Sequence, residues 1–130
     1  IKYDCIIIAA PCSSVGTIRK NPAIFFKRKM PDFKKLNKIQ ISMLKKASIL
    51  LNINGFILYM VCSFLKNETE DLINNFLYHN KNFQLFKFNL NENNAEYSRL
   101  IKRNCMNTLP DTIKEYSIDG YFAAYLKKIK

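Results

Sequence analysis

Phe56-Ile57-Leu58-Tyr59-Met60-Val61-Cys62-Ser63 is the stretch that decides the fold. An unbroken apolar run of this length, opened by the turn pair Asn54-Gly55 and closed by polar residues, reads as a strand buried on both faces. The same ending occurs upstream, where Tyr3 to Ala9, with Ile6-Ile7-Ile8, reads as a strand buried on both faces and leads through Ala10-Pro11 into Cys12-Ser13. In a parallel sheet with helical crossovers, strand ends of this kind line the ligand crevice. Two thiols delivered to one crevice by separate strands point to covalent chemistry more than to metal binding.

Between the two runs, Pro31 and Asp32 supply helix-start chemistry. Leu36, Ile39, Met43, Leu44, Ala47, Leu50 and Leu51 then recur at three- and four-residue spacing, which predicts an amphipathic helix ending at Asn54-Gly55. Lys34, Lys35, Lys38, Lys45 and Lys46 occupy its opposite face. A second helix is expected from about Asn67, with Glu70 as a box-like cap and Leu72, Ile73, Phe76 and Leu77 as its buried stripe. Phe83 to Phe88 alternates like a strand, and Asn89 to Ile118 is polar and irregular. Asp119-Gly120 turns the chain into a last strand, Tyr121 to Leu126.

Alternating strands and helices predict an α/β domain over residues 1–130, with a mainly parallel sheet covered on both sides. The first strand is too apolar for an exposed edge, yet no segment of the chain is left to cover its far side. An upstream segment or another subunit should therefore pair with it.

The composition, 48% hydrophobic and 24% charged, belongs to a globular chain and not to a disordered one. Twenty-one Lys and Arg against ten Asp and Glu leave a net charge of +11. Two readings of that charge stand side by side: a solvated basic surface, or a polyanionic partner such as nucleic acid. No signal peptide is visible, and no apolar run approaches the ~18 residues of a membrane span. The four cysteines lack CxxC spacing and the single His79 cannot complete a zinc set, so the expectation is reduced thiols, no metal and a cytoplasmic setting. With three glycines and neither a GxGxxG nor a Walker loop, a complete nucleotide-type cofactor site is not evident.

A free cysteine taken alone packs like a small hydrophobe, and either thiol by itself would be read as core. As a pair they fit one reaction class, methylation of cytosine at carbon-5. A thiolate adds to carbon-6, carbon-5 then attacks a sulfonium methyl group, and a base removes the carbon-5 proton before the thiol leaves. A second cysteine beside the first can assist that release.

Several ordered motifs carry a resemblance that covers the whole chain. Ala9-Ala10-Pro11-Cys12-Ser13, Ile18-Arg19-Lys20-Asn21-Pro22, Ile39-Gln40, Asn52-Ile53-Asn54-Gly55, Tyr59-Met60-Val61-Cys62-Ser63, Glu68-Thr69-Glu70 and Asp119-Gly120-Tyr121-Phe122 follow one another as in the Sun/Nop2-type RNA cytosine-5 methyltransferases. The chain resembles their catalytic domain from its fourth motif to its C-terminus, most closely in the bacterial ribosomal small-subunit RNA methyltransferase B group. The resemblance implies the C-terminal part of a class I, Rossmann-like mixed sheet with flanking helices and an antiparallel last strand. It implies S-adenosyl-L-methionine as cofactor and RNA, ribosomal RNA first, as partner. Cys62 would be the nucleophile and Cys12 the residue for product release. Ala9, at the position of the family's acid, and Pro11 would face the cofactor, while Arg19, Lys27 and Arg28 would face RNA. The cofactor loop lies upstream in the family, so a preceding half or a partner subunit is implied. Val61 stands for the usual threonine, Lys66 for a usual proline, and the methyl side chain of Ala9 can neither accept a hydrogen bond nor donate a proton. That departure keeps a second reading open: an inactive remnant acting at most as a basic RNA-binding module.

Overall fold

The computed structural model describes residues 1–27, 29–113 and 116–130. β1 (Tyr3–Ala9) is followed by α1 (Phe33–Leu50), β2 (Leu51–Val61), α2 (Glu70–His79) and β3 (Phe83–Leu85). Four short strands come next, β4 (Ile101–Lys102), β5 (Cys105–Asn107), β6 (Asp111–Ile113) and β7 (Tyr116–Ile118), and then β8 (Phe122–Lys128). The main sheet runs β1-β2-β8-β5-β4, with β3 also paired to β8, while β6 and β7 form a separate ribbon.

Among the described residues only β1 and β2 pair in parallel; β8 runs antiparallel to β2, as expected of the last strand, and antiparallel also to β3 and β5. The sheet is therefore mixed, not mainly parallel. Its strand order sorts side chains by parity. Ile6 and Ile8 of β1, Ile57, Tyr59 and Val61 of β2, and Phe122, Ala124 and Leu126 of β8 lie on one face. There they join Leu44 and Ala47 of α1 and Leu72, Ile73 and Phe76 of α2 in a single core.

The other face carries Cys5, Ile7, Leu58 and Tyr125, and is only partly covered. Phe56 stacks on Tyr125 at 4.7 Å between ring centroids, and Phe86 packs edge-on against Phe56 at 5.4 Å. A shallow groove of about 390 Å³ remains beside Ile7, Leu58 and Phe88. The expectation that β1 is buried on both faces, in a sheet covered on both sides, is thus not met within this chain. β1 is an edge strand, both helices lie on one face, and Ile7 is left 64% exposed.

α1 opens as its sequence dictates: the Asp32 carboxylate accepts a hydrogen bond from the Lys35 amide at 3.0 Å. Its five predicted outward lysines are exposed. Its inward line is Gln40, Leu44 and Ala47, whereas Ile39 and Leu50, expected in the stripe, are exposed because both lie on the same flank of the helix, roughly a quarter-turn from that line. The helix stops at Leu50, short of Asn54-Gly55. Lys128 Nζ donates to the carbonyls of Ser48 and Leu51 at 2.8 and 3.0 Å, so the end of the helix is satisfied by a cation. Asn54, at φ 66°, forms a bulge inside β2 where the pairing shifts from Tyr3–Leu51 to Cys5–Phe56.

α2 buries Leu72, Ile73 and Phe76 as expected. Its expected cap is replaced by a 3₁₀ turn over Lys66–Glu68, because Glu68 points inward and Thr69 donates to the Leu65 carbonyl at 2.9 Å. The strand expected over Phe83 to Phe88 is confined to β3. The stretch read as irregular holds a 3₁₀ segment and β4 to β7, strands of two or three residues that are too short to show alternation. Among the described residues, no helix is long and apolar enough to cross a membrane.

Candidate active site

β1 and β2 leave the sheet side by side. The Ala10 amide donates to the Met60 carbonyl at 3.0 Å, extending the parallel ladder one step beyond β1. Both chains then turn, and the Cys12 and Cys62 sulfurs stand 3.3 Å apart. Ser14 Oγ lies 3.5 Å from Cys62 Sγ and 4.0 Å from Cys12 Sγ. Ser14 reaches this place with φ at 61°, a left-handed conformation that a non-glycine residue adopts at some energetic cost. The Gly16 amide donates to the Cys62 carbonyl at 3.0 Å and the Gly120 amide to the Gly16 carbonyl at 2.7 Å, so three loops are stitched together beneath the thiols.

Beneath the serines that follow the two cysteines lies Glu68, fully buried. Its Oε1 accepts from the Ser13 amide at 2.8 Å, and its Oε2 accepts from Ser13 Oγ at 2.6 Å and Ser63 Oγ at 2.7 Å. Gln40 Nε2 donates to the Pro11 carbonyl at 2.9 Å and lies 3.4 Å from Glu68 Oε1, and Tyr59 Oη donates to the Glu68 carbonyl at 3.1 Å. Residue-by-residue reading passed Glu68 over as a site residue. The signal for it was the serine that follows each cysteine, two hydroxyl donors delivered to one place and in need of one acceptor.

Burial raises the Cys12 thiol from its ordinary 9.0 to about 11; the hydrogen bond with Cys62 and the nearby Cys62 and Glu68 charges add to this, against a hydrogen bond with the Ser14 backbone. Cys12 therefore keeps its proton at neutral pH. Cys105, inside the core, is raised to about 11 by burial and by the Glu70 carboxylate. Both thiols bind protons more tightly in the folded than in the unfolded chain. Their contribution to stability is complete below about pH 9 and is lost as pH rises towards 11, because the unfolded chain releases those protons first. Denaturant midpoints should fall across that interval, and the fall should be shallower in Cys105→Ala; an identical slope would sink this assignment.

The other expected site residues are placed as follows. Ala9 ends β1 on the face away from the helices and is exposed, as is Pro11. Lys27 is exposed, and Arg28 lies outside the described residues. Arg19, though exposed, is paired instead of standing free. Its Nη2 is 3.3 Å from Asp119 Oδ1, and Lys20 Nζ is 3.2 Å from Oδ2 of the same buried carboxylate. Between Lys20 and Lys27, Phe25 and Phe26 of a 3₁₀ turn are 75% and 85% exposed. Two aromatics among cations are a nucleic-acid signal that the sequence reading did not pick out.

Comparison with known proteins bears on the same segment. The family model described as 16S rRNA methyltransferase RsmB/F matches residues 1–127. The chain is 30% identical over 131 residues to the ribosomal RNA small subunit methyltransferase B of Pasteurella multocida, covering 99% of this chain and 27% of that protein. It is 30% identical over 135 residues to the 25S rRNA (cytosine-C(5))-methyltransferase nop2 of Schizosaccharomyces pombe, covering 98% of this chain and 22% of the relative. The chain thus spans about a quarter of each relative's length. Among solved structures, that of PH0851 superposes with a TM-score of 0.79 at 28% identity, over 96% of this chain and 26% of that one. NSun6 from Pyrococcus horikoshii, solved with SFG, superposes at 0.73 and 22% identity over the whole of this chain and 31% of that one. The Rossmann-like mixed sheet with flanking helices and the Sun/Nop2-type likeness are both borne out. With the family model matched over residues 1–127, nearly the whole of this chain, the chain belongs to the 16S rRNA methyltransferase RsmB/F family.

Proposed function

We propose that this chain carries the thiol half of an RNA cytosine-5 methyltransferase site, as the C-terminal part of a longer or two-part catalytic unit. The observation that supports this most is the pair of sulfurs 3.3 Å apart at the ends of two parallel strands. Cys62 adds to carbon-6 of the cytosine, forming an S–C bond and pushing the ring electrons to carbon-5. S-adenosyl-L-methionine, when bound, supplies the electrophilic methyl group that carbon-5 takes up, and a structural relative solved with SFG, an analogue of it, fits that cofactor. Loss of the carbon-5 proton to a base then restores the ring double bond and expels the Cys62 sulfur. Cys12, which keeps its proton, donates its S–H towards the departing thiolate and so eases release.

Ala9 and Pro11 are exposed beside this pair, leaving an approach for the methyl donor. The Ala9 side chain offers that donor no hydrogen bond, so side-chain polar contacts must come from elsewhere. RNA is the substrate class favoured by the net charge of +11, by the exposed Phe25 and Phe26 among lysines, and by the ribosomal RNA named for the relatives. Four free cysteines fit a reducing, cytoplasmic setting.

The test is a covalent complex with RNA containing 5-fluorocytosine, formed by the full-length protein with its cofactor. The fluorine cannot leave carbon-5 as the proton does, so the adduct persists through denaturing electrophoresis. Wild type should form it and Cys62→Ala should not; an adduct that persists in Cys62→Ala would overturn the assignment. The methyl side chain of Ala9 favours one second reading, an inactive RNA-binding module. In that case RNA affinity is indifferent to Cys62 and to cofactor, and no adduct forms.

A prediction for the RNA surface holds under either reading. Phe25→Ala and Phe26→Ala should each weaken single-stranded RNA by about 1–3 kcal/mol with an unchanged salt slope. Lys27→Ala should reduce that slope by about 0.7. Filter binding at several salt concentrations separates the two effects, and equal slopes for all three variants would remove Lys27 from the interface.

A further inference from the structure

We propose that Glu68 is a positioning residue whose buried carboxylate, shared by Ser13 and Ser63, sets the separation of the Cys12 and Cys62 thiols. Each serine directly follows one of the cysteines, so a tether on the serine restrains the sulfur next to it. The tether is double on the Cys12 side, through the Ser13 amide at 2.8 Å and its hydroxyl at 2.6 Å, and single on the Cys62 side, through Ser63 Oγ at 2.7 Å. The two serine hydroxyls converge to 3.4 Å on one carboxylate oxygen, and the sulfurs above them stand 3.3 Å apart.

Glu68 is itself held in place. It lies in a one-turn 3₁₀ segment, its carbonyl accepts from Tyr59 Oη at 3.1 Å, and Gln40 closes one side of the carboxylate. Gln40 is held in turn by Asn37 Nδ2, which donates to Gln40 Oε1 at 3.0 Å and to the Asn67 carbonyl at 2.7 Å. α1 and the segment leading to α2 thus hold the carboxylate, and the carboxylate holds the two loops. A fully buried carboxyl group satisfied by three short hydrogen bonds forms a stiff link between elements that the sheet alone fixes only up to Ala10 and Val61. Small misplacements of reacting groups are costly in rate, which is the use of such a link. Only this catalytic consequence rests on the cysteine assignment above; the geometric claim stands without it.

The test measures sulfur spacing directly, without RNA or cofactor. Dibromobimane becomes fluorescent on bridging two neighbouring thiols, each displacing one bromide, whereas monobromobimane reports single-thiol reactivity. On this chain with Cys5→Ser, which removes the exposed thiol, the ratio of bridging to single labelling should fall about tenfold or more in Glu68→Ala. Glu68→Gln should keep the ratio near wild type, because its amide can donate to both serine hydroxyls while its oxygen accepts from the Ser13 amide. A purely structural role would change the melting temperature without moving this ratio. Should Glu68→Ala fail to fold, the Ser13→Ala/Ser63→Ala double variant, which leaves the carboxylate in place, decides the matter. An unchanged ratio in either folded variant overturns the proposal. Intact bridging with no 5-fluorocytosine adduct would instead count against the nucleophile role of Cys62.

Discussion

Gly16→Ala is expected to cost about 3 kcal/mol of stability or more and to separate the two thiols. A Cβ built at Gly16 would meet the Gly120 carbonyl oxygen at 1.8 Å, its carbon at 2.6 Å and the Cys62 carbonyl carbon at 3.0 Å. All three are backbone atoms, so no side chain can swing aside. The loops must part, and with them go the hydrogen bonds from the Gly16 amide to Cys62 and from the Gly120 amide to Gly16. Gly16 is buried, so these groups lose their partners without gaining water, at about 1–3 kcal/mol for each group left unpaired. Gly120 is the internal control. A Cβ there meets its nearest atoms at 3.0–3.2 Å, two of them in the Phe64 side chain and the Pro110 ring, which can give by a few tenths of an ångström. Urea unfolding of the two variants should rank Gly16→Ala well below Gly120→Ala. Equal midpoints would mean that the two glycine loops do not meet beneath Cys62.

Cys12→Ala should leave the enzyme bound to its own product. If Cys62 forms the adduct and the Cys12 S–H eases its breakdown, removing that thiol slows release while addition and methyl transfer proceed. General acid–base assistance of this kind is worth on the order of 10²-fold or more. A complex stable to denaturing electrophoresis should therefore accumulate on ordinary cytosine-containing RNA, with no fluorine trap, in the full-length protein supplied with cofactor. Cys12→Ala combined with Cys62→Ala should show none. Ser14 Oγ, 4.0 Å from Cys12 Sγ, is the nearest group that could partly stand in, so Cys12→Ala/Ser14→Ala should accumulate at least as much complex. Normal turnover without a trapped complex in Cys12→Ala would return Cys12 to the role of a packed, protonated thiol, which its raised pKa also allows.

Much of the frame was legible in the residues. β1, the outward lysines of α1, the Asp32 cap and the stripe of α2 were placed by pattern alone, because each is a local consequence of periodicity or turn chemistry, whereas the antiparallel last strand came from the family resemblance. The bounds of β2 were not: its first residues look like the end of a helix, and only pairing with β1 across the Asn54 bulge makes them strand. β4 to β7 exist through pairing with partners distant in sequence or across a short turn, and two or three residues carry no alternation to detect. Arg19 looked like a free cation because its partner, Asp119, lies a hundred residues away in the chain.

The sequence by itself determined that two apolar strands each end in Cys-Ser and that a helix separates them, which requires a crossover and puts both thiols at one edge of the sheet. Residue types and spacing along the chain are enough for that, since hydrophobic period and capping act over a few residues. Only the tertiary structure decided that the sulfurs are neighbours at 3.3 Å, that one buried carboxylate from a third segment holds both loops, and that Gly16 and Gly120 touch beneath them. These depend on register and on which face each strand turns to the helices. A shift of one residue reverses that face, and nothing local to the chain sets it.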